Sequence, residues 1–412
     1  MNTIKQHTQF RIYVIFLIAL LCLSNISVLK AQEQQQKSFK ALSEEAQISV
    51  LFSSPLDTTM FSFFGHSALR VKDPVLDLDY VFNYGIFEIT SPGSTTYNLI
   101  KGTLASDLWV LDFPTVLEAT RKENRTMEEC VLNLSPEETQ QLWFALIDNA
   151  KPENRRYTFD FFNKNCTTFI YKIIKRNLNG EIVYSDELLA NDQLSLRQIL
   201  NKYAVSYPWF IVYTDLVLGT PMDENVSLEE TFFVPKELQT AFLSARVKDA
   251  NGNYKPLFAS STIILEKTEE KTETSALTPF IWSIIALSLV AFLTLIEGMK
   301  KKYFRWFDCI LYTIAGLAGS YMVMTTIINA GWYNFPNWNL LWLHPLHFLG
   351  LIAAIPKRPI KIGYYYHIIN AFLLCFMILG VFFIPQHYNA VFIPFILCLL
   401  IRSTAYIFQY KR

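Results

Sequence analysis

Histidine is scarce in this chain and nearly absent from its first two-thirds. Of the six histidines in 412 residues, His7 precedes the first apolar segment. His344, His347, His367 and His387 fall in the apolar C-terminal third, so His66 stands alone between residues 32 and 278. Imidazole chemistry in that region therefore has one candidate. Cysteine is almost as rare there: after Ala31 only Cys130 and Cys166 precede the apolar third, too few for a disulfide scaffold. The two can pair in an oxidising compartment, but Cys130 sits in a strand-like run (Cys130-Val131-Leu132-Asn133-Leu134) and is expected to be buried and free. Basic and acidic residues balance at 36 each, so the bulk charge gives no reason to expect a nucleic-acid partner. No internal repeat is visible.

What is present centres on Asn163-Lys164-Asn165-Cys166-Thr167-Thr168-Phe169. From Cys166 onward, Phe169, Ile170, Ile173, Ile174 and Leu178 recur at helical spacing, and Asn179-Gly180 supplies a stop. Asn165 is the expected N-cap, which leaves Cys166 in the first turn. There the free backbone N–H groups and the positive end of the helix dipole favour a thiolate. A thiolate nucleophile needs an imidazole within reach, and His66 must supply it. His66 lies in Phe63-Phe64-Gly65-His66-Ser67-Ala68-Leu69-Arg70-Val71, an alternating stretch that reads as a strand. The bland alternatives are a satisfied structural histidine and an inert cysteine.

Two apolar regions bracket this segment. Residues 1–31 carry Lys5 and Arg11, an apolar run from Ile12 to Leu23, and then Ser24 to Ala31, the layout of a secretory signal or an uncleaved anchor. Cys22 follows a weak lipobox. From about 279 the sequence predicts an all-α bundle of five spans at 279–297, 307–328, 338–355, 364–384 and 389–408, each near the ~20 residues a bilayer core requires. Lysine and arginine follow the first, third and fifth spans, whereas 329–337 and 385–388 have none. The positive-inside rule then puts the C-terminus in the cytoplasm and residues 32–278 outside. Trp332, Trp338 and Trp342 mark the outer interface. The expected organisation is a signal or anchor at 1–31, an exported domain at 32–265, a polar tether at 266–278 and the membrane domain at 279–412.

The exported domain reads as α+β. Strands are expected at 47–53, 67–72, 80–85, 157–159 and 256–265, and helices at 95–101, 136–149, 195–202 and 235–248. A turn containing proline and tryptophan is expected at 207–209. The histidine strand precedes the cysteine helix by 100 residues, the reverse of papain-like order. That order resembles the circularly permuted members of the NlpC/P60 and lecithin:retinol acyltransferase group, where Asn-Cys-Glu-His-Phe is a common cysteine motif. The chain matches at Asn165, Cys166 and Phe169 and departs at Thr167 and Thr168. With Phe-Gly-His-Ser-Ala-Leu-Arg-Val, Asn-Tyr-Gly and Lys-Asn-Cys-Thr-Thr-Phe ahead of a membrane domain, the chain most resembles the Lnb-type lipoprotein N-acyltransferases. The resemblance implies a permuted papain-like domain in the periplasm of a bacterial inner-membrane protein. It also implies transfer of an acyl chain from a phospholipid donor, through a Cys166 thioester, to the α-amine of a diacylated lipoprotein acceptor. No cofactor or metal is expected.

A third polar residue should orient His66. Asn83 is the first candidate and Tyr84 the second, and neighbours on a strand point to opposite faces. Arg70 is a candidate ligand for a lipid phosphate, or a surface partner of Asp73, Asp77 or Asp79. Asn165, beside the nucleophile, is counted with the substrate contacts as well as at the cap. Tyr157 is a candidate second oxyanion donor. His344 and His347, flanking Pro345, either line a substrate groove, bind a metal or hydrogen-bond between helices. The run from Asp215 to Asp223 is a further segment that could reach the site. The rival function is a cell-wall peptidase, amidase or lipid hydrolase using the same dyad.

Overall fold

The computed structural model describes residues 40–56, 62–87, 91–190, 194–268, 278–329 and 332–411. The expected export signal and most of the tether lie outside them. In chain order the first half comprises β1 (Gln47–Ser53), β2 (His66–Asp73), β3 (Leu78–Ile86), α1 (Pro92–Lys101), β4 (Ala105–Asp112), α2 (Phe113–Lys122), β5 (Met127–Leu132), α3 (Pro136–Ala150), β6 (Arg156–Thr158) and α4 (Cys166–Asn177). There follow β7 (Gly180–Val183), α5 (Asp186–Ala190), α6 (Leu196–Tyr203), α7 (Pro208–Val217), α8 (Pro235–Ser244), β8 (Arg246–Asp249), β9 (Tyr254–Pro256) and β10 (Phe258–Leu265). The α+β class is thus observed. Seven strands form one sheet in the order β10-β5-β1-β2-β3-β4-β6, and β7-β8-β9 form a small second one.

Alternation along the strands divides the large sheet into two unequal faces. Val50 and Phe52 of β1, Leu69 and Val71 of β2, and Phe82 and Tyr84 of β3 pack against Leu142, Trp143 and Leu146 of α3 and Ile170 and Ile174 of α4. Burying each such side chain contributes about 1.5–3 kcal/mol, so this face fixes α4 against β2 and β3. The other face carries Leu51, Ala68, Val81 and Met127 under Phe113, Val116 and Leu117 of α2. That thinner layer leaves a cleft.

Two sequence expectations need correction here. The turn at 207–209 is the start of α7, because proline in the first turn of a helix loses no hydrogen bond. The helix expected over 235–248 ends at Ser244, and Arg246–Asp249 pairs with β7 and β9 instead.

The C-terminal part contains α9 (Pro279–Lys300), α10 (Arg305–Ile328), α11 (His347–Ala354), α12 (Lys361–Gly380) and α13 (Phe392–Tyr410). Four of these, α9, α10, α12 and α13, are long and apolar enough to cross a membrane, which corrects the expectation of five such spans. Residues 338–355 are broken into a 3-10 turn at Trp338–Leu341 and the eight-residue α11. Pro345 cannot donate into a continuous helix. In addition, Asn337 Nδ2 donates to the Leu216 carbonyl at 2.9 Å and Asn339 Nδ2 to that of Asp215 at 2.9 Å, which draws the segment toward α7. From there the broken segment packs along α10 as far as Ile355, whose carbonyl accepts from Arg305 at 2.7 Å. Arg402 of α13 is buried between Glu297 of α9 and Asp308 of α10, a charged cluster unforeseen in the sequence.

The Asp215–Asp223 run lies at the junction of the two parts. Buried Arg197 pairs with Asp215 at 3.1 Å and Asp223 at 2.8 Å, and also donates to the carbonyls of Leu218 and Gly219. Asp215 in turn accepts from Asn389 at 2.8 Å, and Gly219 N donates to the Tyr333 carbonyl at 2.7 Å. The run holds the sheet domain on the helices and does not enter the Cys166 site.

Candidate active site

Cys166 opens α4 as expected, with Asn165 at the N-cap. Asn165 Oδ1 accepts from Thr168 N at 2.9 Å while Thr168 Oγ1 accepts from Asn165 N at 2.9 Å. Such caps contribute about 0.5–2 kcal/mol. The Asn165 amide nitrogen donates to the carbonyls of Phe161 and Phe233. With every polar group of its side chain used inside the protein, Asn165 is a positioning residue, and its expected substrate contact is set aside.

His66 begins β2 directly after Gly65, whose φ of +89° suits glycine and where a Cβ would lie 2.7 Å from the Ser53 carbonyl. The imidazole hydrogen-bonds the Cys166 thiol on one side and Asn83 on the other. Nε2 donates to Asn83 Oδ1 at 2.6 Å, which leaves Nδ1 to exchange a proton with the thiol. Burial favours the neutral thiol. The facing imidazolium, its hydrogen bond, the Ser67 backbone N–H and the Thr167 hydroxyl outweigh it and bring Cys166 down to about 6. Burial likewise opposes charge on His66, but the thiolate and Asn83 raise it above its ordinary value. Ser67 Oγ donates to Thr167 Oγ1 at 3.0 Å, locking the strand to the helix one residue beyond the pair.

Gly85 closes the site from β3. Its φ is +88°, and a Cβ there would stand 3.6 Å from that of Cys166. Around the thiol is a chamber of about 90 Å³ walled by Phe64, Phe87, Phe159, Phe161, Phe233 and Pro235. His66, Gly65 and Gly85 separate it from the cleft under α2, about 300 Å³, where Asn83, Ala68, Val116 and Met127 face Glu123 and Arg125. Tyr157 lies close enough to Cys166 for burial first, and then the thiolate, to raise its pKa. Its hydroxyl is buried beside the Ser106 side chain and the Gly85 backbone.

The remaining expected residues lie elsewhere. Tyr84 points away from Asn83 into the core, where its ring stacks on Phe169 and its hydroxyl accepts from Asn149 at 2.9 Å. Arg70 shares the face of His66 but is held by Asp79 at 2.7 Å and Glu129 at 3.1 Å, and it covers the Phe113 ring. The phosphate expectation for Arg70 gives way to the pairing with Asp79. His347 bonds the Tyr366 hydroxyl at 2.7 Å and the Trp342 carbonyl at 2.9 Å inside the helices, with His344 stacked on it. Neither histidine lines the Cys166 chamber or the cleft, so both leave the substrate contacts. No group of three metal-ligating side chains occurs among the described residues. Cys130 is buried and free, its thiol pushed up to about 11.

Residues 32–202 match the family model of the Lnb N-terminal periplasmic domain. Residues 270–412 match that of the Lnb transmembrane domain. No curated protein and no solved structure matches the chain.

Proposed function

The chain belongs to the Lnb family, a membrane protein with a periplasmic domain, and on that premise we propose that it is a thiol-dependent lipoprotein N-acyltransferase. The observation that carries this reading is the Cys166–His66–Asn83 line at the mouth of an aromatic chamber. The histidine strand preceding the cysteine helix, with that helix packed on the sheet, supports a permuted papain-like domain. The lysine-free loops around Asn337 and Asn389 bond to residues of α7, so the sheet domain and these loops share the periplasmic side. Lys411 and Arg412 then end in the cytoplasm.

In the first step the Cys166 thiolate attacks a phospholipid ester carbonyl. The backbone N–H of Cys166, with the Tyr157 hydroxyl as second donor, stabilises the oxyanion. The C–O bond breaks, and the lysophospholipid alkoxide leaves with the proton held on His66. In the second step the α-amine of a diacylglyceryl cysteine attacks the thioester and passes its proton to His66. The C–S bond then breaks and the thiolate returns. The phenylalanine walls keep water from the acyl-enzyme, which favours an amine over hydrolysis.

The test uses the full chain in bilayers with phospholipid and a diacylated lipopeptide. Mass spectrometry should find one added acyl chain on the peptide. None should be added by Cys166→Ser or to a peptide with a blocked α-amine. Cleavage of a cell-wall peptide without acylation would favour the hydrolase instead.

A further inference from the structure

A second cavity, about 330 Å³, lies between α1, residues 158–164 and the loop that follows α10. Leu99, Phe162 and Leu218 line it, and Phe159 and Phe161 separate it from the Cys166 chamber because they line both spaces. The cavity reaches Asn329, the residue that ends α10, one of the helices long and apolar enough to cross a membrane. Tyr333 braces its outer wall, packing on Phe162 with ring centroids 4.6 Å apart and accepting from Asn163 at 2.9 Å.

Asp160 on this wall accepts from the backbone N–H groups of Phe162 and Asn163, whereas two other polar side chains there make no hydrogen bond or ion pair among the described residues. The Lys164 side chain is exposed at the cavity. Asn334 is only 2% exposed, and its Oδ1 has no hydrogen-bond partner among the described residues. A buried carbonyl oxygen is seldom left unpaired in a native protein, so a ligand donor is the natural occupant of that position.

We propose that this cavity seats the headgroup of the acyl donor, and that the donor is a phospholipid bearing a primary ammonium. The proposal rests on the acyl-transfer reading above. The phosphate meets Lys164, and the ammonium donates an N–H to Asn334 Oδ1. The glycerol ester then lies toward Phe159 and Phe161, on the path to Cys166. A quaternary choline ammonium has no N–H to give and leaves Asn334 unpaired.

Binding can be read apart from catalysis. Full-length Cys166→Ala protein in detergent is titrated with short-chain phosphatidylethanolamine or phosphatidylcholine, and bound lipid is counted by native mass spectrometry. Phosphatidylethanolamine should bind about tenfold more tightly, the scale of one hydrogen bond to a charged group. Asn334→Leu should reduce it to the phosphatidylcholine level, Asn334→Asp should restore the preference, and Lys164→Ala should weaken both lipids alike. Equal binding of the two lipids, or an Asn334→Asp protein without preference, overturns the proposal. Acylation of the unsubstituted protein is scored separately. A headgroup preference without any thioester on Cys166 removes acyl transfer and leaves the site, whereas a thioester without preference removes the site alone.

Discussion

Nε2 of His66 and Oδ1 of Asn83 lie 2.6 Å apart, and their bond joins β2 to β3 beyond the point where the backbone ladder stops. The last paired residues on that side are Leu69 and Phe82. The side chains thus continue the pairing on the cleft face and hold the imidazole toward the thiol.

Asn83→Ala should lower kcat roughly tenfold to a hundredfold, a fraction of what a positioned base contributes. Thermal stability should change by only about 0.5–1.5 kcal/mol, the net worth of one hydrogen bond. Asn83→Asp keeps the acceptor and should retain more activity than Asn83→Ala. Steady-state kinetics and melting curves of the three proteins check this, and equal activity in all of them contradicts an orienting role.

The pair also sets a pH window. Cys166, lowered to about 6, becomes thiolate as pH rises through that value, while His66, raised above its ordinary 6.5, keeps its proton to higher pH. Alkylation by iodoacetamide should therefore rise with a midpoint near pH 6. His66→Ala should move the midpoint up toward the usual thiol range. Cys130, pushed up to about 11, should stay unmodified in the same titration. Mass mapping of the labelled peptides separates the two thiols.

The junction gives a prediction about stability. Removing the buried Arg197 leaves Asp215 without its main partner, and breaking such a pair costs about 3–5 kcal/mol. Arg197→Ala should loosen the sheet domain from the helices and expose residues 204–235 to protease. Lys202→Ala, which removes a largely exposed lysine from its pair with Glu237, should change stability by no more than about 1 kcal/mol. Melting in detergent and limited proteolysis read both variants.

The site was legible where the physics is local. The N-cap at Asn165 and the helical spacing after Cys166 involve neighbours in sequence, and the scarcity of histidine left only His66 to pair with the thiol. Asn83 stands ahead of Tyr84 in the sequence reading as well, but what takes Tyr84 away from His66, its stacking on Phe169 of the cysteine helix, is a contact distant in sequence. Long-range pairing was less visible: Arg246–Asp249 is a strand because β7 and β9 flank it, which no local pattern records.

 The 338–355 segment has the apolar length of a span, yet Pro345 and the pull of Asn337 and Asn339 on α7 break it. For Arg70 the sequence leaves a lipid phosphate and Asp79 equally open, and it offers Asn165 both the cap and a substrate; the partners that decide, Glu129 and the Phe233 carbonyl, are distant in sequence.

The most direct test of the account is to look for the acyl-enzyme itself. Purified full-length protein is incubated with phospholipid labelled in its acyl chains, then digested and mapped. The account predicts label on the Cys166 peptide that neutral hydroxylamine removes, with lysolipid released in equal amount. Adding a diacylated lipopeptide with a free α-amine should move that label into a hydroxylamine-stable amide. Lysolipid and free fatty acid with no label ever on Cys166, or unchanged labelling and transfer in Cys166→Ser, would contradict it.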